Sequence, residues 1–470
     1  MRAVRQRLAR TLRTARPDTT TGLLASPERP RLVPGVELAG RYRGSGFRER
    51  RYLVCRDDGQ WVQLTPLLYQ VANALDGERT IADVAATVSR RVERDVSADN
   101  VVFLLARLDE LGLLAPPRAQ PAQLDLLLGL RVRKAWVPAR VVRPVARVLS
   151  PLFHPLVVLA VVAGFGATVL TMLSGDRLVA AGDELLTRPI EALVVVAVVL
   201  AGVFFHELGH ASACTYSGGT PGEIGGGFYL FWPALYTNVT ESYRLRKSGR
   251  VRTDLGGVYF NALFCVLAAI AYVLTGWSGF VAVVAAVSLI MVEQLLPFVR
   301  FDGYWVLSDL AGVPDLFPRL RAALGRLVPW RRVSPALADL KPRARRVIVV
   351  WAVVTAVVLP LQFALMLLVA PSLVASTWFE LAAIGGDVTA AAGAHHWAAV
   401  ALAVVQAVMV TVFLVGLVGA LVYFVHRAVR ATARRCGPSL VRRLPATLAV
   451  VAAFAAPVAW SASQVRFVHT

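Results

Sequence analysis

The sequence predicts a polytopic membrane helix bundle, mainly α, preceded by a small winged-helix-like α+β domain. Of the 470 residues, 56% are hydrophobic and only 17% are charged, and the mean hydropathy is +0.59. Such values are typical of a membrane protein and not of a soluble domain of this length. Apolar stretches long enough to cross a bilayer recur along the chain. They predict about seven spans, near 151–173, 190–214, 254–276, 279–299, 345–371, 397–425 and 445–461.

The charges between these stretches predict how the bundle crosses the membrane. Residues 244–252 hold five Lys and Arg side chains, and 319–346 and 427–443 are rich in Arg, whereas 371–396 contain neither Lys nor Arg. Basic loops stay on the cytoplasmic side. We therefore predict a multi-pass protein of the cell membrane with a cytoplasmic N-terminus. The basic residues that give the net charge of +20 follow the same pattern. We therefore expect the protein to contact a lipid bilayer and not a nucleic acid.

The chain before the first span is predicted to hold one small folded domain. Residues 1–39 form a basic arm expected to be disordered, 40–118 form the domain, and 119–150 form a basic juxtamembrane linker to the transmembrane domain, 151–470. The domain begins with a hairpin signal at 51–64. Helical patterns follow at about 65–75, 80–92 and 98–112, with predicted N-caps at Thr80 (paired with Asp83) and Ser97.

The segment 218–243 is not a regular span, because it is rich in Gly and aromatic residues and is broken by Pro221 and Pro233. Irregular backbone is tolerated at membrane depth where it lines a cavity within the protein. Two interpretations stay open: a re-entrant hairpin, or an interfacial loop that anchors two spans.

The five residues from His206 to His210 have the sequence His-Glu-Leu-Gly-His and follow the apolar run of the second predicted span. On a helix, the two His lie one turn apart on the same face, where both imidazoles can bind one metal ion. Glu207 then lies beside the metal. Ionisable side chains are costly at membrane depth and are usually functional there. The pattern indicates a zinc site, whereas two His and a Glu that merely cap a helix end are the plainer alternative.

A zinc site of this kind needs a third protein ligand, and the best candidate follows the fourth predicted span. Pro297 interrupts the helix, and Gly303 allows a sharp turn that presents the Asp302 carboxylate inward. The alternative is that Asp302 pairs with Arg300. Glu293 lies in or near the same span and could form a salt bridge or act as a gate. We interpret His395 and His396 as interfacial residues on the outer side.

These elements resemble the site-2 protease family (M50) of intramembrane zinc metalloproteases. The family motif N-x-x-P-x-x-x-x-D-G is matched by Pro297, Asp302 and Gly303, with Gln294 at the Asn position. A second family element, G-P-x-x-N, is similar to the stretch from Gly257 to Asn261, in which Val replaces Pro. The resemblance covers about residues 190–310, and no room exists between the second and third spans for a PDZ insertion.

The resemblance implies a set of roles. His206, His210 and Asp302 would bind Zn²⁺, and Glu207 would take a proton from water and deliver it to the leaving amine. For Asn261 and Gln294, position alone suggests a hydrogen bond to the substrate backbone or the oxyanion. An extended substrate could pair with residues 223–240, because a helical peptide shields its carbonyls from attack.

Residues 40–116 resemble PqqD-like domains, which bind leader segments of ribosomally made peptides (RiPPs) by adding a strand to a sheet. The similar elements are the Leu-Asp-Gly run at 75–77, the Thr-Ile-Ala-Asp run at 80–83 and the end of the domain at 108–114. Together with the zinc motif, this implies a bacterial peptide zinc metalloprotease branch. We thus predict an enzyme that processes such a peptide or its leader at the cytoplasmic side of the membrane, with peptide-modifying enzymes or an exporter as possible partners.

Two other functions stay open. The chain could be a non-catalytic membrane receptor or exporter component for a modified peptide, although an intact Glu207 argues against this. It could instead be a regulatory site-2 protease that cleaves a membrane-anchored regulator, an assignment weakened by the lack of a PDZ region.

Overall fold

The computed structural model describes residues 29–56, 61–115, 130–229, 232–327, 334–393 and 395–435, together with three isolated positions beyond them. It divides the chain into two compact units, Met1–Leu124 and Asp125–Thr470. Helices make up most of the described chain. The predicted seventh span falls almost wholly outside the described residues.

The first unit contains a three-stranded antiparallel sheet and three helices. Its sheet has the order β2-β3-β4 and consists of β2 (Glu37–Arg41), β3 (Tyr52–Cys55) and β4 (Trp61–Leu64). The two short strands β1 (Arg31–Leu32) and β5 (Leu114–Ala115) pair with each other. The predicted hairpin is therefore confirmed, while β1 and part of β2 occupy residues that were predicted to belong to a disordered arm.

The three predicted helices of this unit are confirmed as α1 (Pro66–Ala72), α2 (Ile81–Val92) and α3 (Ala98–Glu110). The N-caps are confirmed too. Thr80 and Asp83 form a reciprocal capping box, and the Ser97 hydroxyl accepts the Asn100 N–H, which satisfies backbone donors at the helix ends. Apolar side chains from all three helices and from β3 and β4 form one buried core. The winged-helix arrangement remains a prediction.

The second unit begins inside the segment that was predicted to be a linker. There the chain forms strand β6 (Leu130–Val137) and helix α4 (Ala139–Leu149), both counted with the second unit. The helices that follow are α5 (Pro155–Met172), α6 (Gly175–Thr187), α7 (Pro189–Tyr216), α8 (Lys247–Thr275), α9 (Gly279–Leu295), α10 (Asp302–Ala311), α11 (Leu320–Gly325), α12 (Pro335–Ala338), α13 (Pro342–Gly393) and α14 (Trp397–Arg435).

Four helical stretches among the described residues are long and apolar enough to cross a membrane: Pro155–Met172, Ile190–Tyr216, Lys247–Thr275 and Pro342–Gln362. Gly279–Leu295 and Trp397–Val408 are apolar but shorter. Four of the predicted spans thus have a counterpart of sufficient length, and the count of seven stays a prediction. Helix α13 also continues through residues 371–393, which lie between two predicted spans.

The Gly-rich segment after α7 forms a hairpin of β7 (Ile224–Tyr229) and β8 (Trp232–Thr237). Strand β6 pairs with β7, so the sheet has the order β6-β7-β8. The hairpin form agrees with the re-entrant interpretation of this segment, and its placement within a membrane stays a prediction. The main core of the unit lies between α5, α7, α8 and α9, where small and β-branched side chains pack closely.

Candidate metal centre

Helix α7 brings the two motif histidines together. His206 and His210 are one turn apart on a single helix face, and their Nε2 atoms are 3.1 Å apart. Both residues are buried, as is Glu207 between them. Two buried ring nitrogens at this distance are close enough to be ligands of one cation.

Asp302 completes the cluster from a different element. It is the first residue of α10, and its Oδ2 lies 3.2 Å from Nε2 of His206 and 3.5 Å from Nε2 of His210. These three residues offer ligand atoms that could hold a metal ion. The predicted third ligand therefore lies where the prediction requires it.

The pairing of Asp302 with Arg300, which was the alternative, is wrong. The guanidinium of Arg300 binds Asp315 instead, with an Nη2–Oδ2 distance of 2.5 Å. Arg300 thus has another acceptor, and the Asp302 carboxylate faces the two histidines. Burial opposes ionisation of Asp302, yet the facing histidines hold its pKa below the ordinary aspartate value, so the carboxylate is available as an anionic ligand.

A backbone contact orients the ring of His210. Its Nδ1 lies 2.8 Å from the carbonyl oxygen of Thr253 in α8. Since a carbonyl can only accept, Nδ1 donates to it, and Nε2 is the ring nitrogen that faces the cluster. Such a hydrogen bond to the far ring nitrogen orients many metal-binding histidines.

The loop that carries Asp302 is held from outside the cluster. Trp351 of α13 donates its indole N–H to the carbonyl of Pro297 at 2.7 Å. The Tyr304 hydroxyl donates to Asp315 and accepts the backbone N–H of Leu316. These contacts hold the turn into α10 on both sides, and they thereby position the Asp302 carboxylate.

Gly303 has a different role from the predicted one. It does not adopt a left-handed conformation, so no sharp turn depends on it. Instead, an added Cβ would lie 2.1 Å from the carbonyl oxygen of Leu295. Glycine is required there because α10 begins in direct contact with the backbone at the end of α9.

Gly257 of α8 forms the floor of the cluster. A Cβ added at this position would lie 2.3 Å from Nε2 of His206 and 2.6 Å from Nε2 of His210. The space next to both ring nitrogens exists only because this residue has no side chain. The stretch from Gly257 to Asn261 therefore contributes two things. Gly257 leaves space beside the two histidines, and Asn261 provides a side-chain amide.

Glu207 faces the sheet. The Thr237 hydroxyl, at the end of β8, lies 2.7 Å from Oε2 of Glu207 and 2.9 Å from its backbone carbonyl oxygen. One carboxylate oxygen is thereby fixed, and among the described residues Oε1 has no hydrogen-bond partner. The hairpin of β7 and β8 thus orients the acidic side chain that lies between the two motif histidines in the sequence.

Asn261 and Gln294 form a pair at the edge of the cluster. The Asn261 amide donates to Oε1 of Gln294 at 3.1 Å, and Nε2 of Gln294 lies 3.4 Å from Nε2 of His206. Asn261 is almost fully buried, with 2% of its surface exposed. The geometry therefore gives it a positioning role toward Gln294, whose amide N–H group faces the cluster.

A buried ion pair connects the helices that line the cluster. Arg250 of α8, fully buried, donates to Asp309 of α10 at 2.8 Å. A buried charge pair is weak evidence for added stability, but breaking one is costly because it leaves the other charge unpaired. This pair holds α10, which begins with Asp302, against the helix that carries Thr253 and Gly257.

All six predicted site residues thus belong to one connected cluster. Comparison of the chain with protein-family models, curated proteins and solved structures found no match. Glu293, His395 and His396 are exposed, and within the described residues no contact joins them to the cluster. Thr237, Thr253 and Trp351 were not predicted, since each acts through a contact with a residue far away in the chain.

Proposed function

We propose that this protein is a membrane-embedded zinc metallopeptidase that hydrolyses peptide bonds. The observation that carries the proposal is the triangle of His206, His210 and Asp302 with Glu207 beside it. Tetrahedral zinc with nitrogen and oxygen ligands at about 2.0–2.2 Å needs ligand atoms roughly 3.3 Å apart. The three distances of 3.1, 3.2 and 3.5 Å fit that requirement, and three protein ligands leave a position open, as in catalytic zinc sites.

Bound zinc would supply Lewis-acid chemistry, which makes water more acidic and polarises a carbonyl group. The protein's own contribution begins at Glu207, whose carboxylate is fixed by Thr237 and accepts a proton from the attacking water. The same carboxyl group then delivers that proton to the amine that leaves. Gln294, oriented by Asn261, can donate a hydrogen bond to the substrate carbonyl oxygen as negative charge develops on it.

The sheet next to Glu207 favours an extended substrate. Both β6 and β8 are edge strands among the described residues, and β8 ends at Thr237, which contacts Glu207. A peptide added to such an edge exposes its carbonyls, whereas a helical peptide keeps them in internal hydrogen bonds. We therefore propose that the substrate is a peptide or a membrane-associated protein segment in extended conformation. It would be held at the sheet, with the bond to be cleaved next to Glu207.

The first unit supports a narrower proposal. It carries the sheet of β2, β3 and β4, of which β2 is an edge strand, and such an edge can take up an extended peptide. The substrate we propose is therefore a ribosomally made peptide or its leader, bound by the first unit and hydrolysed by the second. The four long apolar helices support cleavage at the cell membrane.

Chelation of the metal is expected to stop hydrolysis. The purified full-length protein would be incubated in detergent with a library of unstructured peptides, and cleavage would be followed by mass spectrometry. Addition of 1,10-phenanthroline should abolish cleavage, and added zinc should restore it. The isomer 1,7-phenanthroline, which cannot chelate, is the matched control. Cleavage that persists after verified zinc removal would refute a zinc peptidase, whereas bound zinc without any cleavage would favour a receptor.

A further inference from the structure

Helix α4 presents three distinct faces. It is 11 residues long, and at 3.6 residues per turn its arginines at 140, 143 and 147 share one face. Val142 and Ala146 form a second face, which is buried against α7 and the start of β7. Three valines form the third face, between the buried face and Pro144.

Among the described residues, no element fully covers the valine face. Val141, Val145 and Val148 are 48%, 37% and 77% exposed. In the strand just before the helix, Trp136 is 59% exposed. Isolated exposed apolar residues are common, but three on one face of a helix form a surface that can bind an apolar partner. An exposed Trp just before such a helix in the chain is typical of the membrane interface.

Within the described part of the chain, the arginine face has no acidic partner. Arg140 and Arg147 are exposed, and neither forms an ion pair within the described part of the chain. Arg143 is also exposed, and its Nε donates to the carbonyl of Pro221 at 3.1 Å. Two free guanidinium groups above an apolar face fit phosphate groups above acyl chains, because arginine binds phosphate through several N–H donors.

We infer that α4 lies flat on the bilayer and binds anionic lipid headgroups through Arg140 and Arg147, with its valine face in the acyl boundary. Continuity with the first candidate span supports this placement. After α4, only a short turn at Ser150–Phe153 and His154 separate it from α5. A helix with a charged face, an apolar face and a span directly after it has the properties of an interfacial anchor.

This anchor is connected to the sheet. Strand β6 runs into α4 through Pro138 alone, and Arg143 holds the segment before β7. A bilayer that fixes α4 therefore also fixes two strands of the sheet whose third strand ends at Thr237. The lipid contact itself does not depend on peptide hydrolysis, and it can be tested without an activity measurement.

Lipid-dependent quenching tests the inference in the full-length protein. Cys55 and Cys436 would be replaced by Ser, a Val148→Cys variant would carry an environment-sensitive fluorophore, and the protein would be placed in vesicles of phosphatidylcholine with phosphatidylglycerol. Spin-labelled phosphatidylglycerol should quench about 5-fold more strongly than spin-labelled phosphatidylcholine, the enrichment expected from one arginine near the surface. The same label at Leu170, which is 83% exposed on α5, should be quenched equally by both lipids.

The paired substitutions Arg140→Gln and Arg147→Gln should remove the preference at position 148. They should leave quenching at position 170 unchanged, which shows that the protein is still inserted. The inference is overturned if both lipids quench the label at 148 equally in the parent protein. It is also overturned if aqueous iodide reaches that label freely, because the valine face would then lie in water.

Discussion

The Glu207→Gln variant is expected to retain its zinc and to lose peptide hydrolysis by a factor of about 10²–10⁴, the usual contribution of a positioned general base. Glutamine has nearly the same shape and still accepts the Thr237 hydrogen bond at its amide oxygen, but it cannot take a proton from water. Glu207 is not one of the three proposed ligands, so the metal content should not change. Cleavage rates would be compared with zinc stoichiometry from elemental analysis of the same preparations.

A Thr237→Val variant serves as the comparison. It keeps the Glu207 carboxylate and removes the hydroxyl that fixes it at 2.7 Å, so cleavage should fall by less than in Glu207→Gln while zinc is retained. Undiminished cleavage in Glu207→Gln would rule out this residue as the base. Loss of zinc from the same variant would mean that the carboxylate is itself a ligand.

A Gly257→Ala substitution is expected to weaken zinc binding by about 10- to 100-fold, the range usual for changes next to metal ligands. The added methyl group would lie 2.3 Å from Nε2 of His206 and 2.6 Å from Nε2 of His210. Both contacts are far shorter than van der Waals distance, so the rings must move or the methyl group occupies the space for the ion. Competition with a coloured zinc chelator would measure the affinity.

The matched control is Gly166→Ala in helix α5, where an added Cβ meets no atom within 4 Å. It makes the same chemical change in another apolar helix and should leave zinc affinity unchanged. Equal affinities for Gly257→Ala and the control would show that the floor of the cluster is not where the ion binds.

The local part of the site could be predicted from the sequence because helix geometry determines it. Two His four residues apart must share a face, so His206 and His210 needed no tertiary information. Asp302 could be proposed from Pro297 and Gly303 as a motif, although the reason for Gly303 turned out to be a close contact with Leu295 and not a sharp turn. Residues that act across long chain distances gave no comparable signal.

Strand β6 illustrates what the sequence could not reveal. Its residues, with three basic side chains at 131, 133 and 134, are typical of a basic linker, and they become a strand only because β7 offers an edge far along the chain. Thr237 and Thr253 likewise matter through the partners that packing brings to them. Strand pairing and helix packing depend on the whole unit, so single-residue patterns do not predict them.

X-ray absorption at the zinc edge of the purified full-length protein tests the central claim most directly. We expect a first shell of nitrogen and oxygen only, at about 2.0–2.2 Å, with multiple-scattering features of two imidazoles in the parent protein and of one in a His210→Ala variant. A first shell that contains sulfur at about 2.3 Å, or a spectrum unchanged by His210→Ala, would contradict a zinc centre built from His206, His210 and Asp302.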